Sequence, residues 1–205
     1  MTDIKENVLS DEFYTAENTV EAEVNKWIKY MKNKVVYCPC DSLSSAFVKY
    51  FRAKLAEGAI NEVIVTGNKN SLTESFINRD GELLYGHRQE KKLGDCLNKI
   101  TQDIMKNNAD FIVTCPPTSC FGEFLNLCVK SKKKFLLLGE ASVLKDDDLV
   151  VEILSKGKAL AELGDKTWFR TVRDAPGAVR GLEGGWFVQK PIVWIKNWQV
   201  RQKSQ

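Results

Sequence analysis

The 205-residue chain carries 30 Lys/Arg against 27 Asp/Glu, a formal net charge of +3, with 43% hydrophobic and 28% charged residues. This composition suits one well-buried globular domain with little chain left over, and it excludes collagen-like, low-complexity and strongly polyelectrolyte classes. No apolar run approaches the roughly 20 residues that span a bilayer, and the polar, acidic start lacks the basic and apolar stretches of an export signal, so no membrane partner is expected.

The first dozen residues are polar and are expected to be flexible. From Thr19 to Met31, apolar residues recur at helical spacing, with Thr19 as the cap. Lys34-Val-Val-Tyr-Cys38 reads as a buried strand that Pro39 ends. Ser42 or Ser44 caps a second helix, which buries Phe47, Val48, Phe51 and Leu55 and stops at Gly58. Glu62 to Thr66 is the second strand, and Phe76 to Tyr85 reads as a hairpin around Asp80-Gly81. A helix from about Cys96 to Lys106 leads to a third strand, Asp110 to Thr114. A helix from Gly122 to Lys130 then precedes a strand from Lys134 to Leu138. Past Gly139 the pattern weakens. Residues 170–185 read as a Gly- and Arg-containing loop, with late strands at Trp186-Phe-Val and Ile192-Val-Trp-Ile195 on either side of Lys190-Pro191. The β-α-β alternation predicts an α/β fold: one doubly wound, mainly parallel sheet with a short β-rich C-terminal part.

Two features stand out chemically. The strand Asp110-Phe-Ile-Val-Thr runs straight into Cys115-Pro116-Pro117-Thr118, a turn with two fixed φ values and no backbone donors. A strand that ends in a rigid turn is where an open α/β sheet keeps its reacting groups. Charge is also uneven: residues 1–26 hold seven Asp/Glu against two Lys, and residues 166–205 hold eight Lys/Arg against two Asp/Glu. Tryptophans 168, 186, 194 and 198 interleave that basic tail. This suits either a nucleic-acid-facing end or a terminal β-segment with core tryptophans and solvated lysines, and the second is the plainer reading. Six cysteines without an export signal read as reduced thiols in the cytoplasm. The Cys38/Cys40 and Cys115/Cys120 spacings are not those of zinc knuckles, and His87 is the only histidine, so no metal is expected.

Asp11-Glu-Phe-Tyr-Thr15, Lys34-Val-Val-Tyr-Cys-Pro-Cys-Asp-Ser42, Ser45-Ala-Phe-Val-Lys-Tyr-Phe51, Asp110-Phe-Ile-Val-Thr-Cys-Pro-Pro-Thr118 and Lys133-Lys-Phe-Leu-Leu-Leu-Gly139 together resemble the EcoRI-type adenine-specific DNA methyltransferases. The resemblance spans about residues 11–140. It implies the Rossmann-like class I methyltransferase sheet, with a flexible segment 1–12 and a methyltransferase-like domain 13–205 made of a core 13–140 and an extension 141–205. It implies S-adenosylmethionine as cofactor and adenine in DNA as acceptor.

By the same resemblance, Tyr14 and Thr15 lie along the methionine end of the cofactor. Cys38, Pro39, Asp41 and Ser42 hold its charged amino-acid part, Asp41 being the chief candidate, and Asp95 and Cys96 meet its adenine. Asp41 and Asp95 also suit plain helix caps. Cys115, Pro116, Pro117 and Thr118 take the catalytic positions, where the family has Asp, Asn or Ser, then Pro-Pro, then an aromatic residue. Cys115 offers only a weak acceptor sulfur, and Thr118 offers no stacking face, for which Phe121 is the nearest stand-in. The second strand ends without the usual carboxylate, leaving Thr66 or Asn68 for the ribose. Arg170, Arg173 and Arg180 are the candidate phosphate contacts, or else part of a solvated loop. Two functions follow: a cytoplasmic, phage-encoded adenine methyltransferase with impaired or altered activity, or a catalytically inactive relative that binds cofactor, nucleic acid or a host protein.

Overall fold

The structure, a computed structural model, describes residues 15–66, 71–79, 82–93, 97–171, 178–180 and 186–198. Four parallel strands form its centre: β1 (Val35–Pro39), β2 (Glu62–Thr66), β5 (Phe111–Thr114) and β6 (Lys134–Glu140). On the β2 side the sheet continues antiparallel through the hairpin β3 (Ser71–Arg79) and β4 (Glu82–Leu93), with Arg79 opposite Glu82 as the Asp80-Gly81 turn predicts. On the β6 side comes β9 (Trp186–Lys196), then β7 (Leu160–Thr171), while the short β8 (Val179–Arg180) also pairs with β9. Among the described residues the sheet has nine strands, eight of them in the order β4-β3-β2-β1-β5-β6-β9-β7, with β8 beside β9 off that path. Because β9 is antiparallel to both neighbours, β7 runs in the same sense as β6. The doubly wound α/β sheet is as the sequence predicts.

Helices cover both faces, which explains why the central strands are buried along nearly their whole length rather than at alternate positions. Alternating residues divide between the two layers. Val36 and Cys38 of β1, with Val113 of β5, pack under α1 (Glu17–Val24) and α2 (Ala46–Ala56), whose Val20, Phe47 and Phe51 are buried. Tyr37, Ile64 and Ile112 face α3 (Lys99–Asn107) and α4 (Phe121–Ser131), through Ile104, Phe124 and Leu125. Among the described residues no helix is long and apolar enough to cross a membrane.

Several local expectations need correction. The helix expected from Thr19 to Met31 starts at Glu17 and ends at Val24, followed by a 3₁₀ turn at Ile28–Tyr30. Three-residue bonds replace the α ladder there, Trp27 N–H to Val24 C=O at 2.8 Å among them. The buried Glu23 carboxylate accepts from both Lys26 Nζ and Trp27 Nε1 and holds the turn. Thr19 is not the cap, because its hydroxyl pairs with Thr167 at 3.0 Å. The cap of α2 is Ser45, which accepts from Val48 N–H, and not Ser42 or Ser44.

The weak pattern past Gly139 conceals α5 (Val143–Asp146), α6 (Asp148–Ser155) and β7. The two late strands are one, and Pro191 lies inside it. A proline is tolerated there because β6 pairing ends at Glu140 opposite Ile192, and β7 shifts register between Gly164 and Lys166, opposite Pro191. The plainer reading of the C-terminal tryptophans holds for Trp194, which is buried in the core, and Trp198 packs edge-on against Trp27 and Phe111.

Asp147 fixes the start of α4, the helix that leaves the Pro-Pro turn. It caps α6 by accepting from Leu149 and Val150 N–H, and its other oxygen accepts from Gly122 N–H at 2.8 Å. Only glycine fits at 122, since a Cβ there would lie 2.6 Å from Asp147 Oδ2. Gly122→Ala is therefore expected to destabilise by about 1–3 kcal/mol through overpacking. In an Asp147→Ala background the same change should be neutral or slightly stabilising, because alanine is the better helix former. Urea denaturation of the four proteins of that cycle reads the coupling; additive effects would contradict it.

Candidate active site

The chain leaves β1 toward β2 through α2 on one face, and it enters β5 from α3 on the other. The C-terminal ends of β1 and β5 are thus neighbours whose following turns diverge, the arrangement that opens a binding crevice in α/β sheets. Two predicted clusters meet there, the Cys38-Pro39-Cys40-Asp41-Ser42 turn and Cys115-Pro116-Pro117-Thr118.

They are joined by a residue that sequence reasoning passed over. Thr114, the last residue of β5, is wholly buried, and its hydroxyl lies 2.7 Å from Asp41 Oδ2 and in contact with the Pro39 carbonyl. The signal was present: a polar residue closing an apolar strand must find a partner when buried. Asp41 is itself buried, and that burial pushes its carboxyl up to about 7, against the opposing hydrogen bonds of Thr114 and Ser45. Around it the Cys38 and Cys115 thiols are likewise pushed well above their usual range, first by desolvation and then by the Asp41 charge. Both are thiols, not thiolates, so Cys115 is no ready nucleophile.

The β1 turn bends through Cys40, which sits in the left-handed region at φ 64°. Glycine-rich turns do this without strain; here a residue with a Cβ holds the bend. Pro39 ends β1, Cys38 is fully buried, and Ser42 is exposed, its hydroxyl paired with that of Ser44 at 3.0 Å. These side chains do not all converge on the crevice; backbone and Asp41 do. From the N-terminal segment Thr15 arrives beside Cys115. Its buried hydroxyl is close enough to oppose the rise of that thiol, yet makes no hydrogen bond of ordinary geometry within the protein.

The Pro-Pro turn continues into a 3₁₀ turn at Thr118–Cys120, with Pro116 and Pro117 buried and Thr118 half-buried. Phe121 is not a stand-in for the missing aromatic: it is fully buried, with its ring packed so closely on Gly139 that a Cβ there would be 2.6 Å away. Thr66 is also committed elsewhere, buried with its hydroxyl 2.7 Å from that of Tyr37. Arg180 is exposed on β8, and the backbone of Arg170 pairs in β7 opposite Phe187. Tyr14, Asn68, Asp95, Cys96 and Arg173 lie outside the described residues. Among the described residues no three His, Cys, Asp or Glu side chains come together as a metal site.

Two outcomes follow. The raised carboxyl of Asp41 means the folded protein holds a proton that the unfolded chain, with a pKa near 4, has already lost. Stability should therefore be highest below about pH 4 for this group and fall as pH rises to about 7, by on the order of 4 kcal/mol. Asp41→Asn should flatten that slope in denaturation midpoints taken from pH 5 to 8; an unchanged slope would contradict it. At position 40, Cys40→Gly should leave stability within about 1 kcal/mol of wild type, whereas Cys40→Val should cost about 2 kcal/mol or more in the same assay.

A family model described as adenine-specific methyltransferase EcoRI matches residues 4–102 and 89–174. The chain is 31% identical over 151 residues to the type II methyltransferase M.EcoRI of Escherichia coli, covering 65% of this chain and 46% of that protein. It is 29% identical over 131 residues to the type II methyltransferase M.MgeORF184P of Mycoplasma genitalium, covering 63% and 41%. M.MpnI of Mycoplasma pneumoniae, also named a type II methyltransferase, is 29% identical over 133 residues, covering 63% and 40%. The chain thus spans less than half the length of the curated relatives it matches. The family match and the crevice at the ends of β1 and β5 lead to one assignment: the chain belongs to the EcoRI adenine-specific methyltransferase family.

Proposed function

We propose that the protein is an S-adenosylmethionine-dependent methyltransferase acting on adenine N6 in DNA, with a transfer step altered by its Cys-Pro-Pro-Thr motif. The observation that carries this reading is the Thr114–Asp41 contact, which ties the acceptor-side turn to the cofactor-side turn. The residues present fit the cofactor. A buried carboxylate suits its ammonium group, and the unpartnered Thr15 hydroxyl is a polar atom waiting for a ligand at the same place. Bound S-adenosylmethionine would supply an electrophilic methyl group on a sulfonium sulfur. Residues 13–205 would act as one methyltransferase-like unit, in the cytoplasm, with exposed Arg180 available to DNA phosphates.

On the acceptor side, the Cys115 carbonyl accepts one proton of the target amine and so helps confine the nitrogen lone pair. The second acceptor, an Asp or Asn oxygen in the resembling enzymes, is here a protonated thiol. One such contact to developing charge is worth on the order of 3 kcal/mol, about a hundredfold in rate. The protonated Cys115 and the buried Phe121 also favour a second reading, a binding protein that keeps the fold without turnover.

Transfer of labelled methyl from S-adenosylmethionine to mixed DNA separates the two. The enzyme reading expects slow transfer by wild type and a rise of about a hundredfold or more in Cys115→Asn with Thr118→Phe. Equal rates in both proteins would overturn the account of Cys115. Cofactor binding without transfer in either would leave the binding reading.

A further inference from the structure

The Asp41–Thr114–Pro39 contact poses a question of proton count. Thr114 Oγ1 faces two acceptors, Asp41 Oδ2 at 2.7 Å and the Pro39 carbonyl oxygen, and a hydroxyl has one proton to give. If Asp41 is ionised, its carboxylate takes that proton, and the Pro39 carbonyl is left against the hydroxyl lone pairs in a buried place. If Asp41 carries a proton, every group is satisfied: the acid donates to Thr114, and Thr114 donates to Pro39. The network is complete only with the extra proton.

The surroundings agree. The groups that face Asp41 are the Cys38 thiol on β1, Thr114 and the Cys115 thiol at the end of β5, and the Ser45 hydroxyl at the start of α2. Both thiols are protonated, and among the described residues no cationic side chain acts on the carboxyl. Among the described residues a carboxylate here has no counter-ion, so a charge on it calls for a cation brought to the crevice.

We propose that Asp41 is a proton-for-cation exchange site: neutral and donating to Thr114 in the free protein, it releases its proton when an ammonium or sulfonium group enters the crevice. In the bound state Thr114 turns its hydroxyl proton from Pro39 to the Asp41 carboxylate, so Thr114 is the positioning residue of the exchange. No bond between heavy atoms changes; the Asp41 O–H bond breaks, its electron pair stays on the carboxylate, and the proton goes to solvent as one cation arrives. The inference rests on the cofactor reading above and specifies how that site is regulated. Affinity for a cationic cofactor should weaken by about tenfold per pH unit below 7 and level off above it.

Calorimetry of the intact chain with S-adenosylmethionine, in buffers of unlike ionisation enthalpy, counts the protons. About 0.9 proton should be released per ligand at pH 6, and no more than about half a proton at pH 7. Asp41→Asn should abolish the release. Independently of any ligand, infrared difference spectra of wild type against Asp41→Asn should show a protonated carboxyl band at pH 6, and ligand saturation should remove it. Thr114→Val should move the pH midpoint of that band by about half a unit or more, with Thr114→Ser restoring it. Binding heat that does not depend on buffer at pH 6 overturns the exchange and leaves the cofactor reading standing. A carboxyl band without any heat at millimolar ligand overturns the cofactor reading, and the exchange with it. A midpoint shared by all three proteins removes Thr114 from the account.

Discussion

Everything at the site depends on β1 being paired on both edges and covered on both faces. With β2 on one side and β5 on the other, all three pointing the same way, the turn after β1 has nowhere to go except outward over its own strand end. The turn after β5 faces the same problem from the next position. The two turns leave for opposite faces but start side by side, and buried polar groups at their roots must satisfy one another or a ligand. Asp41 and Thr114 are the result. The chemistry of this crevice follows from the crowding of two strand ends and not from any single loop.

The same constraint explains which side chains are available. Alternation along β1 and β5 sends Cys38 and Val113 under α2, and Tyr37 and Ile112 under α3 and α4, so neither strand body can contribute a functional group. Only the last residue of each strand and those beyond it are free of that duty. Pro116 and Pro117 make the β5 turn rigid from the front, and the Gly122–Asp147 contact anchors it from behind. The turn is thus held from both ends, independently of the side chains at Cys115 and Thr118.

Much of this was legible in the sequence. The four central strands and α2 have continuous or 3.6-periodic apolar patterns set off by Gly58 and the prolines, and β2 was read to the residue. The Pro-Pro turn pointed to the end of β5, beside which the crevice opens. What escaped did so for physical reasons. Helix α6 and strand β7 are half-exposed, so their patterns are diluted by charge, and Pro191 looks like a break unless the end of β6 pairing opposite it is known. The role of Thr114 is a contact between residues 73 positions apart, and such partners are set by packing. Phe121 illustrates the reverse: its spacing made it a candidate for the crevice, and the lack of a side chain at Gly139 drew it into the core.

The segment from Thr15 to Trp27 lies back along β5 like a clasp. Thr15 meets Cys115 at the strand's outgoing end, and Trp27 reaches Phe111 at its incoming end through Trp198. Midway, Thr19 is fastened to Thr167, and Lys196, ion-paired with Glu162, stacks 4.3 Å above the Trp27 ring. Every one of those fastenings waits for chain far downstream. During synthesis α1 can pack on α2 early, through Val20 and the Lys49–Glu17 and Tyr50–Asn25 contacts, but these further fastenings form only once β7, β9 and Trp198 have emerged. The crevice wall that Thr15 supplies is set in place only together with Cys115, far downstream in the chain.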